Sequence, residues 1–220
     1  MKRPARWLCS VWMLATGCAA PSRAAALQAD FVDVARTVPW VLVELRYATP
    51  VNFASQVLYP PGAGCYLRRP VAQQLTQAAL ELHQDGLRLK LWDCYRPHHV
   101  QRLLWQRVPD PRYVANPAQG SRHNRGAAVD VTLTDLDGVE LPMPTPFDEF
   151  GPRAHRDYQD LPAPVLKNRA RLEQAMRRAG FVPLPTEWWH FDSASFRDHP
   201  IADVSFADLQ TPRKTAGQTF

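Results

Sequence analysis

Three side chains with metal-binding chemistry lie in two distant segments of the chain. His123 and Asp130 are seven positions apart, and His190 lies near the other end. Zinc binds imidazole nitrogen and carboxylate oxygen, and a catalytic zinc usually has three protein ligands with a water in the fourth position. These three residues match that number of ligands. The sequence therefore predicts one zinc ion per chain, at a site with one open position.

A carboxylate at Glu187 precedes His190 by three residues. A regular strand would point the two side chains to opposite faces. Because Pro185 lies just before Glu187, we expect an irregular backbone there that turns the carboxylate back toward the metal. Glu187 would then take a proton from a zinc-bound water, whose pKa in such sites falls to about 7.

The segment that carries His123 and Asp130 has the composition of a turn that leads into a strand. Gly126 lies between the two residues, and β-branched residues follow at Val129, Val131 and Thr132. This pattern places His123 on a loop and Asp130 on a strand.

These motifs resemble a known family. The pattern Ser-x-His-x-x-Gly-x-Ala-x-Asp at 121–130, followed by Glu-x-x-His at 187–190, resembles the zinc D,D-peptidases, whose fold is shared with the hedgehog signalling domain. The resemblance is closer to their D-alanyl-D-alanine dipeptidase branch, which includes the VanX-type enzymes of vancomycin resistance. It extends from about Val41 to Phe191 and includes Leu45–Thr49 with Asn52-Phe53, Trp92–Pro97, Pro146–Asp148 and Glu187–His190.

The resemblance implies a catalytic role for Arg96. This residue is predicted at a strand-to-helix junction before Pro97, from which a guanidinium can be aimed into a site. In the family, the arginine at this position stabilises the oxyanion of the tetrahedral intermediate, and such fixed donors supply a few kcal/mol. The alternative is a structural ion pair with Asp93 or another carboxylate.

Ser121 and Asp148 match family positions that bind the free amino group of the substrate. A carboxylate and a hydroxyl can pair with an ammonium, and burial of that pair would require a substrate with a free N-terminus. The alternative for Asp148, which has Glu149 beside it, is a solvated acidic turn.

The resemblance implies zinc-dependent hydrolysis of D-alanyl-D-alanine to two D-alanines. One alternative is a D,D-carboxypeptidase that acts on peptidoglycan stem peptides with the same metal centre and a more open cleft. The other is a non-catalytic cell-wall or partner-binding protein with a vestigial metal site. Glu187 and Arg96, both intact, disfavour the second alternative.

Length, composition and charge favour one domain without affinity for nucleic acid. The chain has 220 residues and 45% hydrophobic content, enough for one well-packed core. Of its net charge of +5, four positive charges lie in the first 26 residues, which leaves 5 − 4 = +1 for the remainder. The near-neutral remainder has no basic run, and nucleic-acid binding usually requires one.

The first 26 residues resemble an export signal. A basic start is followed by an apolar run from Trp7 to about Ala20 and then by small residues at 24–26. An alternative is a lipoprotein signal, cleaved before Cys18, which would then carry a lipid anchor as the only membrane contact. We expect an exported protein, periplasmic or membrane-anchored, with a role in cell-wall turnover or D-alanine scavenging. The oligomeric state is not indicated.

Export also bears on the two cysteines that follow the signal, Cys65 and Cys94. In an oxidising compartment two such residues favour a disulfide. Closure of a loop of roughly 30 residues would stabilise the fold by about 3 to 4 kcal/mol. The alternative is two unrelated buried thiols.

The hydrophobic periodicity predicts an α+β domain over 27–220, with helices packed against an antiparallel sheet, as in the hedgehog and D,D-peptidase fold. Polar, proline-rich residues 109–120 are predicted to cover the metal site as a loop, and a loose tail is predicted from about residue 205. The predicted elements are a strand near Val41, a helix at Arg69–Gly86, a strand at Leu87–Trp92, a helix from Pro97 to about Val108, a hairpin at Val131–Leu141, a helix at Pro162–Gly180 and a last strand at Trp188–Asp192.

Overall fold

The computed structural model describes residue 28 and residues 30–210. The predicted signal at 1–26, with the lipid-anchor position Cys18, lies outside the described residues. Among the helices described here, none has the length and apolar character needed to cross a membrane.

Seven strands and five helices are described, besides short 3₁₀ turns. The strands are β1 (Phe31–Asp33), β2 (Val41–Val43), β3 (Tyr66–Arg68), β4 (Leu87–Asp93), β5 (Ala128–Asp135), β6 (Phe181–Pro183) and β7 (His190–Ser193). The helices are α1 (Val34–Thr37), α2 (Arg69–Gln84), α3 (His98–Arg107), α4 (Ala163–Arg178) and α5 (Phe206–Gln210). The α+β class and the three longer predicted helices are confirmed.

The main sheet has five strands in the order β2-β4-β5-β7-β6. All neighbours are antiparallel except β2 and β4, which are parallel. The predicted antiparallel pairing is therefore wrong for the strand near Val41, which pairs in parallel with β4. The physical reason is the connection: α2 lies between β2 and β4 in the chain, and a long crossover of this kind can return a strand in the parallel direction. A separate two-stranded sheet pairs β1 with β3.

Helices α2 and α4 pack together against the sheet. Helix α2 buries one face that repeats every three or four residues, as an amphipathic helix does, and its buried residues are Val71, Ala72, Leu75, Ala78, Ala79 and Leu82. The helix ends before Gly86, which has a φ of +76°, a conformation that glycine adopts at helix ends without strain. The predicted stop at Gly86 is therefore confirmed within two residues.

Two predicted strands differ from the structure in extent. The second arm of the hairpin makes only a single bridge, between Thr134 and Glu140, although the turn itself forms. The last strand, β7, begins at His190 and not at Trp188, because residues before it form a turn. Both tryptophans, Trp188 and Trp189, are buried in the core next to this turn.

Residues 205–210, predicted as part of a loose tail, are ordered by packing. Phe206 opens α5 and is only 3% exposed, with its ring centroid 4.9 Å from that of Tyr59 and 6.3 Å from that of Tyr95. The hydroxyl of Ser205 accepts a hydrogen bond from the backbone N–H of Asp208, which caps the helix. One buried aromatic ring therefore keeps this segment on the domain.

A disulfide joins Cys65, before β3, to Cys94, after β4, with their Cα atoms 5.3 Å apart. Both residues are buried. The bond ties the small sheet to the end of β4, from which several residues of the candidate site extend.

Candidate active site

The candidate site lies at one edge of the main sheet, where β4 ends and both β5 and β7 begin. Asp93 of β4 is the direct cross-strand partner of Asp130 on β5, and Asp130 is in turn the partner of His190 on β7. Antiparallel pairing brings the end of one strand next to the start of its neighbour. Three residues far apart in sequence therefore form one row.

His123 joins this row from a 3₁₀ turn, His123–Arg125. Gly126 ends the turn with a φ of +66°, and a Cβ atom there would lie 2.3 Å from Cε1 of Phe31. Only glycine fits both the left-handed backbone and the close approach of the ring. The glycine in the predicted turn thus determines where the imidazole of His123 points.

The donor atoms of His123, Asp130 and His190 have the spacing of a metal site. Nε2 of His123 is 3.2 Å from Nδ1 of His190, and Oδ1 of Asp130 is 3.4 Å and 3.0 Å from these two atoms respectively. Ligands placed about 2.0 to 2.1 Å from a tetrahedral zinc ion lie about 3.3 to 3.4 Å from one another. All three side chains are buried. Their spacing and chemistry fit a zinc ion.

Each imidazole ring is oriented by a hydrogen bond on its other side. Nδ1–H of His123 donates to the backbone carbonyl of Cys94 over 2.7 Å. Nε2–H of His190 donates to Oδ1 of Asp192 over 2.9 Å. Such bonds determine which ring nitrogen carries the proton and leave the other with a lone pair for a metal. The other ring nitrogens, Nε2 of His123 and Nδ1 of His190, face Asp130 and are the atoms that would bind a metal.

The charges around the row favour a cation. Burial opposes the charged form of His190, but the carboxylates of Asp192 and Asp130 outweigh it and raise the pKa of His190 to about 10. Burial likewise opposes ionisation of Asp130, yet His123 and His190 lower its pKa below the usual range. The carboxylates that stabilise a proton on His190 would also attract a divalent cation, which competes with that proton for Nδ1 of the ring.

Glu187 lies in the turn before β7, as the sequence predicts, and lines the same pocket as the three donors. Its side chain is 5% exposed, and Oε1 has no hydrogen-bond partner among the described residues. Burial raises the pKa of Glu187 to about 8, against the opposing effect of His190. A buried carboxylate without a partner is costly, so its position calls for a proton, a water molecule or a substrate group.

Arg96 forms the ion pair with Asp93 that was considered as its alternative role. It also lines the pocket. Its Nε and Nη2 donate to Oδ2 of Asp93 over 3.0 and 2.7 Å, and Nη1 donates to Gln101 over 2.8 Å. Nη2 is also 3.9 Å from Oδ2 of Asp130. Burial acts against its charge, but Asp93 outweighs this effect and raises the pKa of Arg96. The ion pair therefore holds a permanent positive charge at the pocket wall.

Asp148 and Ser121 also line this pocket. Asp148 is buried, so the solvated turn considered for it is wrong. Its carboxylate accepts from the hydroxyl of Tyr47 over 3.5 Å and from the N–H of Phe53 over 3.4 Å. Burial and the charges of Asp130 and Glu187 raise its pKa well above the usual value. The Oγ atom of Ser121 accepts from the N–H of His123 over 3.2 Å.

The pocket around these groups is small, with a cavity volume of about 90 Å³. Residues 111–115 of the predicted covering loop form part of its wall. The ring of Tyr113 in this loop stacks on Phe150 at 4.8 Å between centroids, and Phe150 lies 5.2 Å from Phe53. Three loops therefore meet in one aromatic cluster beside the donor atoms.

The sequence analysis did not identify Asp192 or Tyr47 as parts of the site, and it named Asp93 only as an alternative ion-pair partner for Arg96. Asp192 had a usable signal, because it lies two residues after His190 on a predicted strand and therefore shares its face. Tyr47 had none beyond the family resemblance. Its contact with Asp148 depends on segments that meet only in the folded chain.

A His-Asp-His donor set beside a buried carboxylate and a fixed arginine is the arrangement of a metal-dependent hydrolase. The sequence pattern of peptidase family M15, described as D-ala-D-ala dipeptidase, matches residues 27–208. The chain belongs to this family of metallopeptidases.

Individual relatives cover most of the chain. A D-alanyl-D-alanine dipeptidase of Escherichia coli (strain K12) is 35% identical over 183 residues, which are 83% of this chain and 94% of the relative. A D-alanyl-D-alanine dipeptidase of Streptomyces coelicolor is 31% identical over 80% of this chain and 96% of the relative. The solved structure of VanYB in complex with D-alanine-D-alanine is 16% identical, with a TM-score of 0.43 over 62% of this chain and 76% of that one.

Proposed function

We propose that this protein is a zinc-dependent dipeptidase that hydrolyses D-alanyl-D-alanine to two D-alanines. The observation that carries the proposal is the tetrahedral spacing of the donor atoms of His123, Asp130 and His190 beside the unpartnered carboxylate of Glu187. The names of the relatives supply the substrate.

His123, Asp130 and His190 would hold one zinc ion through Nε2, a carboxylate oxygen and Nδ1. When bound, zinc supplies a Lewis acid that polarises the scissile carbonyl and lowers the pKa of water. The negative charge of Asp130 matches the cation, and the backbone carbonyl of Cys94 and the side chain of Asp192 keep the two rings aligned.

Glu187 acts as the general base and then as the general acid. It takes a proton from the attacking water and later gives that proton to the nitrogen of the leaving amine. Its burial suits this task because a buried carboxyl holds a proton more readily than an exposed one.

Arg96 stabilises the negative charge that develops on the carbonyl oxygen of the substrate. Asp93 and Gln101 hold its guanidinium on two sides, so its donors are oriented before the substrate binds. Such preorganisation avoids the cost of reordering dipoles during the reaction.

Asp148 and Ser121 bind the ammonium group of the substrate at the same pocket wall. The left-handed backbone of Asp148, with a φ of +61°, is uncommon for a residue other than glycine and occurs often at functional sites. A substrate ammonium would supply the positive charge that this buried carboxylate lacks. The site would therefore demand a free N-terminus.

Hydrolysis assays on the purified, zinc-loaded protein test the proposal. We expect release of D-alanine from D-Ala-D-Ala and little activity on L-Ala-L-Ala or N-acetyl-D-Ala-D-Ala. The small volume of the pocket, with residues 111–115 in its wall, favours a dipeptide over a longer peptide. Faster release of D-alanine from a stem pentapeptide than from the dipeptide would instead identify a D,D-carboxypeptidase, and no hydrolysis of either would contradict the proposal.

We also propose export, with a role in cell-wall turnover or in the recovery of D-alanine outside the cytoplasm. The basic start and apolar run of residues 1–26 support this location. Cell fractionation and labelling with a radioactive fatty acid test it. Label on the protein would indicate an anchor at Cys18, an unlabelled periplasmic protein a cleaved signal, and a cytosolic, uncleaved protein would refute export.

A further inference from the structure

Asp192 receives a hydrogen bond from a candidate metal ligand but is not one of the residues that line the pocket. It follows His190 by two positions on β7, so both side chains lie on one face of the strand. Oδ1 of Asp192 is 2.9 Å from Nε2 of His190. The other ring nitrogen, Nδ1, faces Asp130 and is the atom that would bind the metal.

An arginine side chain lies beside the other oxygen of this carboxylate. Nε of Arg122 is 3.4 Å from Oδ2 of Asp192, and the guanidinium of Arg122 lies over the ring of Phe196 at 5.0 Å. Asp192 is 8% exposed, so few water molecules compete for its hydrogen bond with His190. His190 and Arg122, from different elements, thus contact the two oxygens of the carboxylate, the first by a hydrogen bond and the second by an ion pair.

The two imidazoles differ in what orients them. Nδ1 of His123 is 2.7 Å from the backbone carbonyl of Cys94, which no side-chain substitution removes, and the carboxylate of Asp93 lies farther from the same atom, at 3.4 Å. His190 depends on the side chain of Asp192. A substitution at Asp192 therefore releases one ligand ring while the other stays in place.

We propose that Asp192 is a positioning residue that holds His190 as its Nε2–H tautomer and thereby sets the affinity of the site for zinc. The inference rests on the proposed function for the identity of the metal. Partners of this kind typically change metal affinity by about 10- to 100-fold.

Asp192→Asn is the most informative variant because it has nearly the same shape. His190 donates a hydrogen bond to one carboxylate oxygen, and the guanidinium of Arg122 forms an ion pair with the other over 3.4 Å. Asparagine has only one acceptor oxygen, so its NH₂ group must face one of these donors. If NH₂ faces His190, the ring proton moves to Nδ1 and blocks the metal. If it faces Arg122, two donors oppose each other and the side chain shifts.

Asp203→Asn is a matched control on the surface. Asp203 also contacts a histidine and an arginine, with Oδ1 3.2 Å from Nδ1 of His99 and Oδ2 3.8 Å from Nη2 of Arg102. Neither partner lines the candidate pocket. The control therefore removes the same charge from the same kind of cluster without touching the donor set.

The zinc dissociation constant of each purified full-length variant is measured by competition with a chelating dye. We expect Asp192→Asn and Asp192→Ala to bind zinc about 10- to 100-fold more weakly, and Asp203→Asn to match the wild type. Wild-type zinc affinity in both Asp192 variants would overturn the proposal.

A measurement on the wild type keeps the test independent of variant folding. Nitrogen-15 NMR of the zinc-loaded protein should show His190 protonated at Nε2, and a ring protonated at Nδ1 would overturn the proposal. Zinc affinity is measured by dye competition and does not depend on the peptidase assay. A protein that binds zinc in the expected order of affinities but cleaves no dipeptide would therefore contradict the proposed function alone.

Discussion

Glu187 and Arg96 show how single side chains acquire chemistry from their surroundings. A carboxylate on the surface has many water partners, whereas Glu187 is buried without a partner for Oε1. An exposed arginine moves freely, whereas Arg96 is held by Asp93 and Gln101. Burial and fixed partners thus convert common residue types into a candidate base and a candidate oxyanion donor.

Glu187→Gln should retain zinc and lose turnover by about 10²- to 10⁴-fold, the usual contribution of a general base. Glutamine has nearly the same shape but cannot take the proton. The measurements are kcat for D-Ala-D-Ala and zinc content per chain. Unchanged turnover would remove Glu187 from the mechanism, whereas loss of zinc would show that the residue helps to hold the metal.

Asp148→Asn should lower kcat/KM for D-Ala-D-Ala by about 10- to 100-fold, because a hydrogen bond to a charged group contributes about 1.5 to 3 kcal/mol. The preference for the free dipeptide over its N-acetyl form should fall as well. Glu149→Gln is the matched control, since Glu149 is adjacent in sequence but exposed. Equal effects at the two positions would contradict a specific ammonium site at Asp148.

At the scale of elements, the site depends on strand pairing and on two local constraints. Pairing of β4, β5 and β7 aligns Asp93, Asp130 and His190. The disulfide from Cys65 ties the end of β4 to β3, and Gly126 directs the turn that carries His123. The residues that provide these two constraints take no part in the reaction, so each constraint can be tested separately.

Cys65→Ser should lower the free energy of unfolding by about 2 to 5 kcal/mol, since loss of a disulfide frees the unfolded chain. Zinc content and turnover at low temperature should persist, because the Cys94 carbonyl that holds His123 belongs to the backbone. Urea unfolding provides the measurement, and reduced wild-type protein is the control. An unchanged midpoint would show that the bond contributes nothing to stability.

Gly126→Ala should destabilise the fold more than Gly86→Ala. Both glycines have positive φ, +66° and +76°, so alanine is strained at either position. A Cβ at 126 would also meet Phe31 at 2.3 Å, whereas nothing lies within 4 Å at Gly86. This overpacking should lower the free energy of unfolding by about a further 1 to 3 kcal/mol. Equal unfolding free energies in the two variants would contradict this account of the turn.

At the scale of the whole molecule, the fold concentrates acidic groups in one pocket. Asp93, Asp130, Asp148 and Glu187 are all buried near one another, with Arg96 as a fixed cation among them. A divalent cation would offset this charge. Its binding should therefore stabilise the native state as well as serve catalysis.

Zinc should raise the unfolding temperature. A ligand at 100 times its dissociation constant stabilises the native state by about 2.7 kcal/mol, which corresponds to about 5 to 10 °C for a chain of this size. Thermal unfolding with zinc and with a chelator measures the shift. His123→Ala should lose it, and an equal shift in that variant would mean that the metal binds elsewhere.

Much of the architecture was predictable because it depends on local sequence. The helix at α2 follows from apolar residues repeated on one face, and its end follows from Gly86. The parallel β2–β4 pair and the packed segment at Phe206 were missed. Strand direction and the packing of a short segment depend on distant partners, which no local pattern records.

The amino-acid sequence by itself determined which residue types are available for chemistry and, through motifs at 121–130 and 187–190, the family to which the chain belongs. The tertiary structure alone decided which atoms meet. Hydrogen bonds and charges act over a few ångströms, and these distances exist only after three strands align His190 with Asp130 and place Asp192 behind the ring. The orientation of the ligands is thus a property of the folded sheet.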